Sequence, residues 1–385
     1  MKYRLLSPGP TPVPEFVLTA MANPIWHHRT PAFEETFAEC AEGLRWLFQT
    51  ENLVMTLSCS GTGAFESAYQ SLFNEGAKVI TIGGGKFGER WGDMAESLGL
   101  NPLRVPVEWG HPVDVDAVKQ LLNEHDDIEG VVCVASETST GVRHPYEDIA
   151  NLVKERDNCL FLVDGITAVG VWDIDPARDH IDVLAAGSQK ALMLPPGLGF
   201  VYLSDKAWKK AEQVNKRGYY FDLLKERKSQ SKNQTAYTPA VTLMTGLKES
   251  LKMMKAEGLD EIFARHARLA DAVRTGVTAL GLKLFAKRPG DSVTSIINPP
   301  EVAPDAIYRG LRDRANITIA GGQDHLKGKI FRIAHLGYYD ELDIVTVLGA
   351  LEIILKQEGY SNFENGQGVG AAMDILSKGF QSKSK

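Results

Sequence analysis

Leu160-Phe161-Leu162-Val163-Asp164 is an apolar run closed by a carboxylate, and Ala186-Gly187-Ser188-Gln189-Lys190-Ala191-Leu192 brings a lysine 26 positions after that carboxylate. An uninterrupted apolar run of strand length reads as a strand buried on both faces, because a half-exposed strand would alternate. Comparable runs recur along the chain, giving candidate strands at 53–57, 78–82, 101–105, 130–135, 160–164, 183–186 and 199–203. Amphipathic stretches at 64–73, 90–98, 115–123 and 146–156 separate several of them. Strands that alternate with helices require crossover connections. The pattern therefore predicts an α/β fold whose large domain holds a mostly parallel seven-stranded sheet covered by helices on both faces.

Outward from this core the character changes twice. Residues 1–15 include Pro8, Pro10, Pro12 and Pro14, which fix φ and remove backbone donors, so an extended N-terminal arm is expected there. The large domain is expected to span 16–257. Long helical patterns at 241–257 and 259–280 lead into a smaller α+β domain, 258–385, with strands at 292–297 and 330–334 and a helix at 341–358. Beyond Tyr360 the chain is rich in Gly, Ser, Asn and Gln, and the expectation is a flexible, poorly packed tail with a short helix at 370–376.

Composition excludes some partners. With 385 residues, a net charge of −7 and a pI near 5.8, the chain lacks the basic surface that nucleic acid or an anionic membrane requires. The cysteines Cys40, Cys59, Cys133 and Cys159 have no C-x-x-C spacing, and three lie in or beside apolar segments, where a reduced thiol packs as a small hydrophobe. Adjacent histidines rarely converge on one ion, so His27-His28 is assigned no metal role. No leader-like or membrane-length apolar run is seen, and a cytoplasmic location is the expectation.

Lysine and aspartate in this relation suit one cofactor chemistry. Small residues and a proline-rich turn flank Lys190, and burial there disfavours the ammonium form, as a nucleophilic amine requires. An aldehyde such as that of pyridoxal phosphate would form a Schiff base with the amine, and a strand-end Asp164 would hold the ring nitrogen protonated. Ser58-Cys59-Ser60-Gly61-Thr62-Gly63-Ala64 follows a strand and opens a helix, a place suited to a phosphate, although N-capping also explains it. It is no Walker loop, since no Gly-Lys-Ser/Thr closes it, and Gly83-Gly84-Gly85-Lys86-Phe87-Gly88 is no convincing dinucleotide fingerprint.

Taken in order, these segments resemble the class V aminotransferases of fold type I, the group of alanine–glyoxylate, serine–glyoxylate and serine–pyruvate aminotransferases. The resemblance runs from Pro8-Gly9-Pro10 to about residue 350. It rests on Ser60-Gly61-Thr62-Gly63, Glu137-Thr138-Ser139-Thr140-Gly141, Val163-Asp164, Gly187-Ser188-Gln189-Lys190-Ala191, Pro195-Pro196-Gly197 and Phe331-Arg332-Ile333. It implies Lys190 as the Schiff-base lysine and Asp164 as partner of the pyridinium nitrogen. Ser60, Gly61, Thr62 and Gln189 would grip the phosphate. Phe87 would stack on the ring where relatives often carry a Trp, and Thr138 would bond near the ring hydroxyl. Thr238 would reach the phosphate of a neighbouring subunit, which implies a homodimer with shared sites. Arg332 would clamp the substrate carboxylate, because a planar guanidinium meets both oxygens at once. Gly9, through its backbone, and His335 would line the same pocket.

The activity implied is transfer of an amino group from serine or alanine to glyoxylate or pyruvate by a ping-pong mechanism. Two alternatives stand beside it. A desulfurase-like lyase shares the lysine and aspartate but needs a late nucleophilic cysteine, and no cysteine follows Cys159. A noncatalytic complex subunit that kept the fold has no need for Lys190, Asp164 and Arg332 together.

Overall fold

The computed structural model describes residues 2–215 and 218–380. Its N-terminal arm is anchored by strand β1 (Arg4–Leu5). The large sheet is built from β2 (Met55–Leu57), β3 (Lys78–Ile82), β4 (Asn101–Val105) and β5 (Ile128–Val134). After the short hairpin β6 (Ser136–Glu137) and β7 (Val142–Arg143), it is completed by β8 (Leu160–Asp164), β9 (Val183–Gly187) and β10 (Gly199–Leu203). The strand order is β2-β10-β9-β8-β5-β3-β4. Pairs β3/β4, β3/β5, β5/β8 and β8/β9 are parallel, while β10 runs antiparallel to both β9 and β2. Seven strands in a mostly parallel sheet match the expectation from the apolar runs. Because β10 alone is reversed, the C-terminal ends of the other strands share one edge, where open α/β sheets bind their ligands.

Both faces of the sheet are buried, which is why its strands read as continuous apolar runs. Ile80, Val131, Phe161, Val163 and Leu184 face one core, and Val79, Val132, Leu160, Leu162 and Val183 face the other. Helix α1 (Glu15–Met21), helix α2 (Pro31–Leu47) and the helix Val241–Glu257 pack on the first face. Helices α3 (Gly61–Leu72) and α4 (Lys86–Ser97) pack on the second through Phe65, Tyr69, Leu72, Trp91 and Ala95. Neither α1 nor α2 was evident from the sequence pattern. Pro31 opens α2 at its first turn, where a missing N–H costs nothing.

The second sheet is formed by β11 (Val293–Ile297), β13 (Ala320–Gly321) and β14 (Ile330–Ala334), with β14 central and antiparallel to both neighbours. Strand β12 (Ile317–Thr318) pairs parallel with β1, which ties the arm to this layer. The arm also places Gly9 against Lys190, and at its φ of +152° a methyl on Gly9 would overlap the lysine amine. Only a glycine fits both the backbone angle and the contact.

The expected poorly packed tail is instead packed as far as Leu376, and its short helix starts earlier than expected, at Gln367. Helix Gln367–Leu376 buries Gly368, Ala372 and Leu376 against the helix Leu259–Ala279. Gly276 and Gly368 meet where these helices cross, so small residues that looked like linker composition allow close backbone approach. The buried Glu352 carboxylate accepts from the N–H groups of Gly366 at 2.5 Å, Gly368 at 2.9 Å and Val369 at 3.1 Å, capping this helix from a neighbouring one. Glu352→Ala is therefore expected to lower the unfolding free energy by about 1–3 kcal/mol, through lost charge-assisted bonds and unsatisfied donors. Urea titration of both chains, followed by circular dichroism, measures the difference.

Candidate active site

Five strand ends converge on one cavity. Asp164 is the last residue of β8, and Lys190 lies three positions after the last residue of β9. Ser60 follows β2 and caps α3 with an extended backbone, yet its side chain makes no capping bond to the helix. Phe87 enters from the first turn of α4, and Thr138 follows β6 in a buried turn. Ser60, Gly61, Thr62, Phe87, Thr138, Asp164, Gln189 and Lys190 all line the same cavity. The sequence-based set is thus brought together from segments scattered over about a third of the chain.

The lysine is held in a reactive state by its surroundings. Its Nζ donates to the Pro8 carbonyl at 2.7 Å. Burial lowers its pKa to about 8; Asp164 opposes this, and Arg332 and Arg90 reinforce it. Asp164 shows the complementary effect, since burial pushes its carboxyl up to about 7, with Glu137 adding to the rise. Both carboxylate oxygens are positioned: Oδ1 accepts from the Ile166 N–H at 2.9 Å and Oδ2 from the Trp91 indole N–H at 3.0 Å.

Helix α4 is fixed by a carboxylate outside it. Glu137, fully buried, accepts from the N–H groups of Phe87 at 3.0 Å and Gly88 at 2.9 Å through Oε2. Its Oε1 accepts from the Ser139 N–H at 3.0 Å and the Ser139 hydroxyl at 2.5 Å. Burial raises the Glu137 pKa, while these bonds and Ser139 counter the rise. The α4 N-cap is Gly85, which has no side chain to cap with, so Glu137 does this from across the sheet edge.

Arg332 sits at the centre of β14 with 5% exposure and lies behind Thr138 rather than in the cavity wall. Its Nε and Nη2 donate to the Gly321 carbonyl at 3.0 and 2.8 Å, and its Nη1 donates to the Thr138 carbonyl at 2.6 Å. Among the described residues no carboxylate lies within salt-bridge distance of it. Burial draws its pKa down to about 10, and Glu137 acts in the opposite sense. A guanidinium oriented by carbonyls and lacking an ion-pair partner retains the charge and free N–H groups that a carboxylate can take up.

Two expected residues lie elsewhere. His335 is a core histidine: its Nδ1 faces the Asp291 carbonyl at 2.9 Å and its Nε2 faces the Thr294 hydroxyl at 2.9 Å. A carbonyl only accepts, so Nδ1 carries the proton and Nε2 accepts from Thr294. Burial lowers its pKa to about 3, so it is neutral and does not line the cavity. Thr238 lines a separate depression with Ser58, Thr235 and Tyr237. Sequence reasoning missed Arg90, Trp91, Ser136, Ile166 and Thr167. The spacing of Phe87, Arg90 and Trp91 on one turn of α4 was the available signal, since residues three and four apart share a helix face.

The protein groups fit a phosphorylated aldehyde cofactor. Gln189 carries an amide whose Oε1 has no partner among the described residues, so the planar group is free to turn over and present its N–H groups to an anion, and the first turn of α3 opens into the same space without a side-chain cap. Free helix N–H groups and an amide are suited to phosphate, while Lys190 and Asp164 bracket the opposite end. The amine should therefore be unprotonated above about pH 8, whereas an ordinary lysine titrates near about 10.4. Trapping Lys190 with a small aldehyde and borohydride, followed by peptide mapping, should give a rate that rises with pH and inflects near 8. Asp164→Asn removes the charge that favours the ammonium form, and its inflection should move to lower pH.

Residues 4–335 match the aminotransferase class-V family. The chain is 42% identical to the soluble hydrogenase 42 kDa subunit of Anabaena cylindrica, over 98% of this chain and 99% of that one. It is 37% identical to the serine–glyoxylate aminotransferase of Hyphomicrobium methylovorum, over 97% and 94% of the two chains. Among solved structures, a subgroup IV aspartate aminotransferase from Thermus thermophilus superposes with a TM-score of 0.86 at 34% identity, covering 92% of this chain and 99% of that one.

Proposed function

Since the chain belongs to the class-V aminotransferases and is a pyridoxal-phosphate-dependent transaminase of fold type I, we propose that its substrates are a small amino donor, serine or alanine, and a small 2-oxo acid, glyoxylate or pyruvate. The observation that carries this reading is the pairing of a buried, readily neutral Lys190 with a strand-end Asp164 in one cavity, in front of an arginine that has no acidic partner. Bound pyridoxal phosphate supplies an aldehyde for the amine and a protonated ring that draws electrons from the substrate Cα.

The protein's residues do the rest. Lys190 Nζ would hold the aldehyde of the cofactor and, as a readily neutral amine, would serve as the base for the proton on the substrate Cα. Asp164 Oδ2 and Oδ1 are fixed by Trp91 and Ile166, so the carboxylate keeps a proton on the ring nitrogen without moving away. Phe87 would cover one face of the ring, and Ser60, Gly61, Thr62 and Gln189, which line the same cavity, would hold the phosphate. Thr138 supports the ring hydroxyl side. Arg332 receives the substrate carboxylate and orients the Cα bond to be broken. The Gly9 backbone closes the lysine side of the pocket.

Glyoxylate as acceptor is supported by the name of the Hyphomicrobium relative. The soluble-hydrogenase name belongs to a different protein, and among the described residues no group of three or more His, Cys, Asp or Glu side chains is placed to hold a metal ion. The position of Thr238 in a separate depression suits a role in a second copy's site, so the active form is a homodimer in this reading.

Lys190→Ala should remove the colour of the purified protein and reduce turnover by several orders of magnitude. Mixing the coloured wild-type chain with single amino acids should bleach it with serine or alanine, and glyoxylate should restore the colour in the absence of donor. Bleaching by aspartate in preference to both would overturn the choice of donor, and an undiminished spectrum for Lys190→Ala would overturn the assignment of the lysine.

A further inference from the structure

Helix α4 carries a cation for which the reaction so far has no use. Arg90 lines the cavity on the same turn as Phe87 and Trp91. Its Nη1 donates to the Thr62 hydroxyl at 3.3 Å, and its guanidinium lies over the Phe87 ring, 4.7 Å from the centroid. Among the described residues no carboxylate pairs with it within salt-bridge distance. The neighbouring acid, Glu89, is occupied by the Trp109 indole N–H at 2.7 Å.

The other groups at that end of the cavity are uncharged. Ser60, Gly61, Thr62 and Gln189 offer hydroxyl, backbone and amide dipoles, and a phosphate bound by them alone would leave its double negative charge balanced only by the α3 helix dipole. Lys190 is committed to the aldehyde, and Arg332 is turned toward the Thr138 and Gly321 carbonyls. Arg90 is the cation whose anchor, Thr62, belongs to the first turn of α3. Stacking on Phe87 fixes the guanidinium plane and lowers the entropy lost on binding.

We propose that Arg90 is the cationic partner of the cofactor phosphate and the residue that distinguishes the phosphorylated aldehyde from the unphosphorylated one. One face of α4 then serves three parts of one molecule: Phe87 the ring, Trp91 the acid that holds the ring nitrogen, and Arg90 the phosphate. This inference rests on the cofactor site proposed above and adds a charged group to it.

The test uses the full-length chain stripped of cofactor and titrated with pyridoxal phosphate, with pyridoxal and with inorganic phosphate as competitor, binding being read from the visible absorbance. Arg90→Met keeps the contact with Phe87 and removes the charge. It should weaken pyridoxal phosphate binding by about tenfold or more, the scale of a lost charge-assisted bond, while pyridoxal binds as in the wild type. Inorganic phosphate should compete with the wild-type chain and compete poorly with Arg90→Met. Arg90→Lys, which restores the charge without the fork, should recover part of the loss and serves in its own right if the Met variant does not fold. Equal loss of affinity for both aldehydes in either variant, or unchanged phosphate selectivity, would overturn the proposal and leave Arg90 as a support for Phe87. A wild-type chain that takes up neither aldehyde would overturn the cofactor site itself, and this inference with it.

Discussion

The Glu137 carboxylate is the constraint on which the cavity depends. Among the described residues no cation lies within salt-bridge distance of it, and it is held by the donors pointed at it from the α4 terminus and from Ser139, with Arg332 acting at longer range. Such a charge tolerates little displacement, because a donor lost in a low-dielectric interior is not replaced by water. The turn after β6 and the start of α4 are therefore held as one body. Thr138 belongs to the first and Phe87 to the second, and Arg332 joins through its bond to the Thr138 carbonyl. Three elements distant in sequence thus take their positions from one acid. The far end of the same turn of α4 is fixed by Trp91, whose indole bonds Asp164. Phe87 and Asp164 consequently take their relative positions from the same helix.

How much of this was legible in the sequence depends on what each residue exchanges with its surroundings. The central strands of the large sheet were readable because both their faces are dry, so residues 160–163 and Val183–Gly187 carry no polar side chain, whereas the edge strand β4 exposes Asn101 and Arg104. Asp164 and Lys190 stood out for the same reason, as charges at the margins of apolar runs. Helix starts were read late: 64 for a helix that begins at Gly61, and 90 for one that begins at Lys86. In both cases glycines occupy the first turn, and the cap, where present, comes from another part of the chain. Remote capping leaves no local signal. The tail was misread because Gly and Ser denote a linker when solvated and a close helix crossing when buried, and composition does not distinguish the two.

His335 and Arg332 show the same limit from opposite sides. Both are polar residues in the β14 region of the second sheet, and both are buried. The histidine is fully satisfied by a hydroxyl and a carbonyl and is neutral. The arginine is oriented by carbonyls alone and retains its charge. Sequence places each beside a strand with equal clarity. Only the inventory of partners separates a group whose bonding is complete from one that still has bonds to make.

That inventory also explains how an acidic protein can hold anions. The chain has a net charge of −7, yet around the cavity Lys190, Arg90 and Arg332 face Asp164 and Glu137. Burial pulls the lysine toward neutrality and raises both acids, so each ionised form is disfavoured there. Among the described residues neither Arg90 nor Arg332 has a carboxylate within salt-bridge distance, which leaves both free to meet an anion. An electric field from the two guanidinium groups needs no support from the rest of the surface at short range, since the low-dielectric walls concentrate it. Overall charge governs solubility and long-range encounter, whereas the choice of ligand is made by a few side chains whose pairing within the protein is incomplete.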